Sequence, residues 1–369
     1  MRLLCRYTPR NDKLRMNICS IVFCMFVLTG LSLAQKIDIE LSNPMEIGKE
    51  DLLFGSIAAV CEDKEGNFYV VDQIEAKVFK FTTEGKLLTS FGQKGQGPGD
   101  FQRPNRISYT TKGNLAVADE MYYVSFLNTD GKFLRRVHLN EALTPGYVGE
   151  DRFYAWRWQP EGRQQILLDS EGSLVKTFHT AQRDQFSISI PDETGRKVMF
   201  NFNQPAYAPA LIYAQNRGHT AIALSDSYRI QILNENGDTV KTITHDSPRC
   251  DLSKQERKHF EEHFKELGKM RGWPNRAVRD IIKKIPKEKV FFDGILLTSK
   301  HFFVFRISMD VSSESSRVPV DIFRLNSQFL GSTHIPAKPI FISEKRIYFM
   351  NSDEDGNIYL VVADYKLNS

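Results

Sequence analysis

The chain has 369 residues, with 49 Lys/Arg against 45 Asp/Glu and a hydrophobic share of 41%. That length allows one large or two ordinary domains with ample apolar sequence for a core. The small positive excess lies at the N-terminus, where the first 17 residues hold five basic and one acidic side chain; without them 44 of each sign remain, and a neutral chain is no general nucleic-acid binder.

That N-terminus reads as a targeting segment. Behind the basic stretch, ICSIVFCMFVLTGLSLA (18–34) carries no charge and ends Ser32-Leu33-Ala34. Small residues three and one before a cut mark signal-peptidase processing. The alternative is a retained anchor, but the run is shorter than the ~20 residues that span a bilayer. We expect a signal peptide over 1–34 and a mature domain over 35–369, starting at Met1 or Met16. Three of the five cysteines fall in the leader. Cys61 and Cys250 remain, and the sequence leaves their pairing open.

The mature region repeats itself. DKEGNFYVVD (63–72) returns as TTKGNLAVAD (110–119), its glycine 47 residues on. A second turn pattern, FTTEGKLL (81–88), recurs as LNTDGKFL (127–134), LDSEGSLV (168–175) and LNENGDTV (233–240), with a weaker copy in LNSQFLGS (325–332). Glycine in such turns supplies positive φ, and the flanks alternate as strands do. Each unit of roughly 40 residues predicts a four-stranded meander, the blade of a propeller. The blades fall at about 55–91, 105–139, 146–178, 205–244, 291–335 and 339–367. The sixth is one strand short, and KIDIEL (36–41) can supply it and close the ring. The predicted fold is all-β, a six-bladed propeller closed by its N-terminal strand.

FGQKGQGPGDFQRP (91–104) links the first two units. Its glycines suggest a phosphate loop, but Asp100 takes the place of a required glycine and the next segment is strand-like. We read it as an inter-blade joint, with Phe101 as a plug between blades.

GQGPGDFQRPNRISYTTKGNLAVADEMYYVSFLNTDGKFLRRV resembles an NHL repeat, with its GPG-[DE]-F…P opening, G-N-x-x-V-x-D centre and D-G-K-F close. The specific motif covers residues 57–137, and the wider architecture resembles exported six-bladed propellers common in Bacteroidota. The resemblance implies a fold. The group includes binding scaffolds and a few metal-dependent lyases, so function stays open.

Residues 252–289 break the pattern: they hold twelve basic and six acidic residues, with Phe260, Phe264 and Leu267 and then Val278, Ile281, Ile282 and Ile285 at helical spacing. Ser253 and Glu256 form a capping box, Gly268 to Pro274 is expected to break the helix, and a second short helix stops at Pro286. This helical hairpin is either a solvated basic surface, a lid over the channel mouth or a dock for an acidic partner.

Candidate chemistry is sparse. His259 and His263 in HFEEH match the H-x-x-E-H zinc arrangement, with Glu314 or Glu344 as third ligand, but they also flank an apolar stripe where imidazole packs. NSDEDGNIYLVV (351–362) resembles a calcium loop lacking its terminal Glu and reads more simply as a turn. No cofactor is therefore expected, with zinc and calcium as the metals these segments would take. Tyr154, Trp156 and Trp158 share one strand face, which suits inter-blade packing or ligand stacking. Residues entering the innermost strands should ring the channel: Phe54, Arg106, Tyr147, Tyr207, Asp293 and Lys338. Arg106, Asp293 and Lys338 would put charge among apolar groups, which suits a small-ligand or peptide site. The leading expectation is a monomeric exported binding module. Its ligand would be an envelope protein, peptide or glycan, and after leader cleavage it would have no transmembrane segment. The alternative is a metal-dependent hydrolase or lyase.

Overall fold

A computed structural model of the chain describes residues 37–49, 52–119, 122–139, 143–149, 152–159, 162–182, 187–191, 197–201, 209–216, 219–307 and 317–368. The leader lies outside them. The described residues form six four-stranded antiparallel sheets and one two-stranded ribbon. The fold is a six-bladed β-propeller. In chain order the innermost strands are Ile57–Glu62, Pro104–Tyr109, Leu143–Gly149, Leu211–Asn216, Phe292–Leu297 and Phe341–Ile342. The ring closes as the sequence predicts. The N-terminal strand Asp38–Ile47 is the outer strand of blade 6, running antiparallel to Ile358–Asn368 from the pair Asp38–Asn368 to the pair Ile47–Leu360.

The repeat has a physical cause in its turns. In the turn after the first inner strand, Asp63 Oδ1 accepts the Asn67 amide at 2.9 Å, and in blade 2 Thr110 Oγ1 accepts the Asn114 amide at 3.0 Å. The glycine between them, Gly66 or Gly113, sits at φ +88° or +80°, where a side chain is strained. The recurring aspartate holds the entry to the inner strand. Asp72 accepts the amides of Gly55, Ser56, Ile74 and Glu75 at 2.7–3.2 Å. Asp119 accepts those of Gln102 and Arg103 at 2.6 and 3.1 Å. A carboxylate that takes several backbone N–H groups saves the turn from buried unpaired donors.

Each inter-blade interface has its own apolar core. Tyr69 and Val78 of blade 1 meet Leu115 and Val117 of blade 2, and Phe126 of blade 2 meets Phe153 of blade 3. Tyr154 meets Ile222, Ile230 meets Phe302, Phe305 meets Ile347, and Tyr348 meets Phe68, which completes the circuit. Second strands are therefore buried on both faces, as in Phe68–Asp72, while the outer strand Leu87–Phe91 is mostly exposed.

The glycine-rich joint folds on itself. Asp100 Oδ2 accepts the Gly97 amide at 3.0 Å, and Arg136 donates to the carbonyls of Gln96, Gly97 and Asp100. Phe101 is 1% exposed, in the core between blades 1 and 2. The loop amide beside that carboxylate is spent on it and faces no phosphate.

The insertion holds two helices, α1 (Lys254–Met270) and α2 (Asn275–Lys283). The capping box is present: Glu256 N–H donates to Ser253 Oγ at 3.2 Å, and Ser253 N–H to Glu256 Oε2 at 2.9 Å. The break falls inside the expected stretch, between Met270 and Asn275, with α1 itself running through Gly268. Gly268 is buried against Val278, and a Cβ there would lie 2.4 Å from Val278 Cγ2, so it serves helix packing instead of helix breaking. A further difference is the ribbon Ser187–Pro191/Lys197–Asn201, which the repeat pattern does not foretell; α2 approaches its first strand.

Candidate functional site

The inner strands enclose an axial cavity of about 780 Å³. Blades 1, 5 and 6 give it an apolar wall that includes Ala58, Ala59, Ile295, Leu296, Ile340 and Phe341. Blades 2 and 4 give it Asn105, Arg106, Tyr213 and Gln215. That size falls within the range of small-molecule pockets, ~300–1,000 Å³.

Arg106, expected at the channel, lines it. A β-bulge between Pro104 and Arg106 turns its strand there. Its Nη2 donates to Tyr213 Oη at 2.7 Å, and its guanidinium carbon lies 4.8 Å from the Tyr213 ring centroid. The contact joins blade 2 to blade 4, past the inner strand of blade 3. Among the described residues, the remaining N–H groups of Arg106 have no hydrogen-bond partner. Both amide atoms of Asn105 and Nε2 of Gln215 are likewise buried and unpartnered among the described residues. Buried polar atoms usually find a partner, so three of them on residues that line one cavity are a feature to be explained.

Tyr147 also lines the cavity, but at a different height from that expected. It pairs with Phe153 near the hairpin turn, as Glu62 pairs with Phe68 and Tyr109 with Leu115. The strand starts at Leu143, ahead of the predicted blade start at 146, so Tyr147 falls near its end instead of its beginning. Phe54 precedes the first inner strand and is buried between blades 6 and 1. Asp293 and Lys338 form an ion pair, with Lys338 Nζ 3.0 Å from Asp293 Oδ1, and neither lines the cavity. They do not present the convergent free charge that the sequence suggests. Tyr207 lies outside the described residues.

The mouth where the inner strands end carries a second cluster. Glu62 accepts from Tyr348 Oη, and Arg346 Nε lies 3.0 Å from Glu62 Oε1. Arg346 also donates to the carbonyls of Thr83 and Gly66, so one side chain of blade 6 latches onto blade 1. Burial pushes the Glu62 carboxyl above the usual carboxylate range, against the opposing pull of Tyr348 and Arg346. Burial, and then the charges of Asp63 and Glu62, push the neighbouring Cys61 thiol well up, which makes it a poor nucleophile. Cys61 and Cys250 are both free thiols.

His259 and His263 are exposed on α1, each ring lying against the following phenylalanine at 6.0 and 5.6 Å. Glu262 between them is 3.7 Å from Lys258. Among the described residues, no three His, Cys, Asp or Glu side chains gather as a metal site, and Glu344 accepts the Ser299 amide. Glu314 lies outside the described residues. In the segment 351–362, Asp353 spends its carboxylate on Asp355, Asn357 and its own turn. Tyr154 is fully buried between blades 3 and 4, Trp156 is half-buried, and the Trp158 side chain lies outside the described set. No residue of 252–289 lines the axial cavity.

Sequence reading missed Tyr213, Gln215, Asn105, Glu62 and Arg346. The alternation in LIYAQN places Tyr213 and Gln215 on one face, so a correct start for blade 4 would have found them. The Glu62–Arg346 contact joins residues too far apart in sequence for any local signal.

Over residues 47–216 the sequence matches a family model described as a 6-bladed beta-propeller. No curated protein matches it. Among solved structures, a Bacteroides fragilis NCTC 9343 protein described as exported is 13% identical, with a TM-score of 0.53 over 89% of this chain and 95% of that one. A member of the duf4221 family from Bacteroides vulgatus ATCC 8482 is 10% identical, with a TM-score of 0.53 over 91% and 99%. At such identities the likeness is one of fold. Among the described residues, no helix is long and apolar enough to cross a membrane.

Proposed function

We propose that this protein is an exported, NHL-type propeller that works as a binding module, taking its ligand in the axial channel. The observation that carries the reading is the cavity of about 780 Å³ with Arg106, Asn105 and Gln215 turned to one wall, their hydrogen-bonding groups largely unspent. A packed channel without a ligand would be expected to pair or exclude those groups. Export rests on the leader, and the NHL assignment on the motif of blades 1 and 2. A peptide segment or a glycan unit fits the volume; an envelope protein would engage by inserting one.

The test uses leader-less chain, residues 35–369, on peptide and glycan arrays, beside Arg106→Ala and a variant lacking 252–289. We expect a bound class that Arg106→Ala weakens at least tenfold and the deletion leaves intact. Binding that survives Arg106→Ala and disappears with the insertion would move the site to the hairpin and end the channel reading. Export is checked by N-terminal sequencing of the secreted protein, which should begin at Gln35.

A further inference from the structure

The chemistry of the channel wall narrows the ligand, on the condition that the channel is the binding site. We infer that the channel takes a monocarboxylate with an apolar body, its carboxylate seated on Arg106 with Gln215 and Tyr213 beside it.

Charge comes first. The other charged groups that line the cavity cluster at the mouth, and most are engaged within the fold. Glu62 is held by Arg346 at 3.0 Å, Lys64 lies 3.6 Å from Glu65, and Asp364 accepts the Asn43 amide at 2.9 Å. Arg106 is set deeper, beside neutral partners. It gives one N–H to Tyr213, and its other donors are unspent among the described residues. A guanidinium fork matches a carboxylate in shape and charge. One cation surrounded by neutral amides balances one negative charge, which favours a carboxylate over a phosphate dianion.

Geometry supplies the second donor. Tyr213 and Gln215 share one face of the strand Leu211–Asn216, and Arg106 lies on Tyr213. The Gln215 Oε1 is packed on Gly146, so closely that a Cβ there would lie 1.4 Å from it. Only glycine leaves room for this amide, whose Nε2 is the buried donor without a partner among the described residues. The opposite wall, with Ala59, Ile295, Leu296 and Phe341, offers no charge and suits an aliphatic body.

Titration calorimetry on the leader-less chain tests this with four probes. Octanoate and N-acetyl-leucyl-leucine carry the carboxylate; octanol and N-acetyl-leucyl-leucinamide lack the charge. We expect at least one carboxylate to bind at least tenfold more tightly than its neutral counterpart. Octanoate alone would identify a free fatty acid, and the dipeptide alone a peptide C-terminus. Arg106→Leu should abolish the preference, Arg106→Lys should keep part of it, and Gln215→Leu should weaken it severalfold, with circular dichroism confirming the fold of each. Equal binding of charged and neutral probes, or a preference untouched by both Arg106→Leu and Gln215→Leu, would overturn the inference. Ala59→Trp, which fills the cavity, separates the two levels. Neutral probes that bind equally well and are displaced by Ala59→Trp would leave the channel standing and remove the carboxylate. Carboxylate binding indifferent to Ala59→Trp would remove both.

Discussion

Replacing Arg346 by Met tests how the ring is latched. The Arg346 side chain is 8% exposed and that of Glu62 13%, so their contact at 3.0 Å is largely out of water. The same guanidinium donates to the Thr83 carbonyl at 3.1 Å and to the Gly66 carbonyl. Met keeps the apolar stem and removes all three bonds. Removing one partner of a buried ion pair costs about 3–5 kcal/mol, because the other charge is stranded. Burial raises the Glu62 pKa, so once Arg346 is gone the carboxyl escapes a stranded charge by taking up a proton at reduced cost. We therefore expect the lower end, about 3 kcal/mol. In a Glu62→Gln background no charge is stranded, and the same change should cost only the two carbonyl bonds, about 1–2 kcal/mol. The coupling between the sites is then about 1–2 kcal/mol, in the range for residues in contact. Urea unfolding of the four proteins, followed by fluorescence and circular dichroism at a common slope, measures each term. A cost for Arg346→Met below about 1 kcal/mol, or an equal cost in both backgrounds, would refute the latch.

The remaining predictions concern the repeat and the mouth. Phe101→Ala should destabilise by about 3–5 kcal/mol, because its ring is fully buried in the joint core; a midpoint shift of surface size in urea would show that the joint carries no plug. Asp72→Ala leaves four turn amides without their acceptor and should cost about 2–3 kcal/mol, read by thermal unfolding. Glu62 has its folded pKa raised, so the native state holds this proton more tightly than the unfolded chain. Its contribution is greatest below about pH 4.5 and is lost as pH rises to the raised value. Wild type should lose stability relative to Glu62→Gln across that window, and parallel pH–stability profiles would count against the shift.

The sequence carries the fold because the fold is local and repeated. Gly66 and Gly113 mark the same turn, and Asp72 and Asp119 the same strand entry, each satisfied within about 20 residues. The closing strand was legible too, since blade 6 lacked a partner and KIDIEL was unassigned. The site was less so. The third inner strand starts at Leu143, ahead of the predicted blade, which puts Tyr147 near its far end, and the pattern of apolar residues does not record the irregular register there. Blade 4 begins later than its turn motif suggested, which hid Tyr213 and Gln215. Arg346 and Glu62 meet only because the ring closes, and no spacing rule covers residues brought together by closure. The ribbon at 187–201 sits outside the blade period altogether.

Whether ligand enters the axial channel is decided by a crystal structure of the complex. Leader-less protein would be crystallised with the tightest ligand from the arrays. Density is expected between the inner strands, in contact with Arg106 and Tyr213, with a displaced or reoriented Gln215 amide. Ligand density on the outer strands or on the 252–289 hairpin, with the channel wall unchanged, would contradict channel binding.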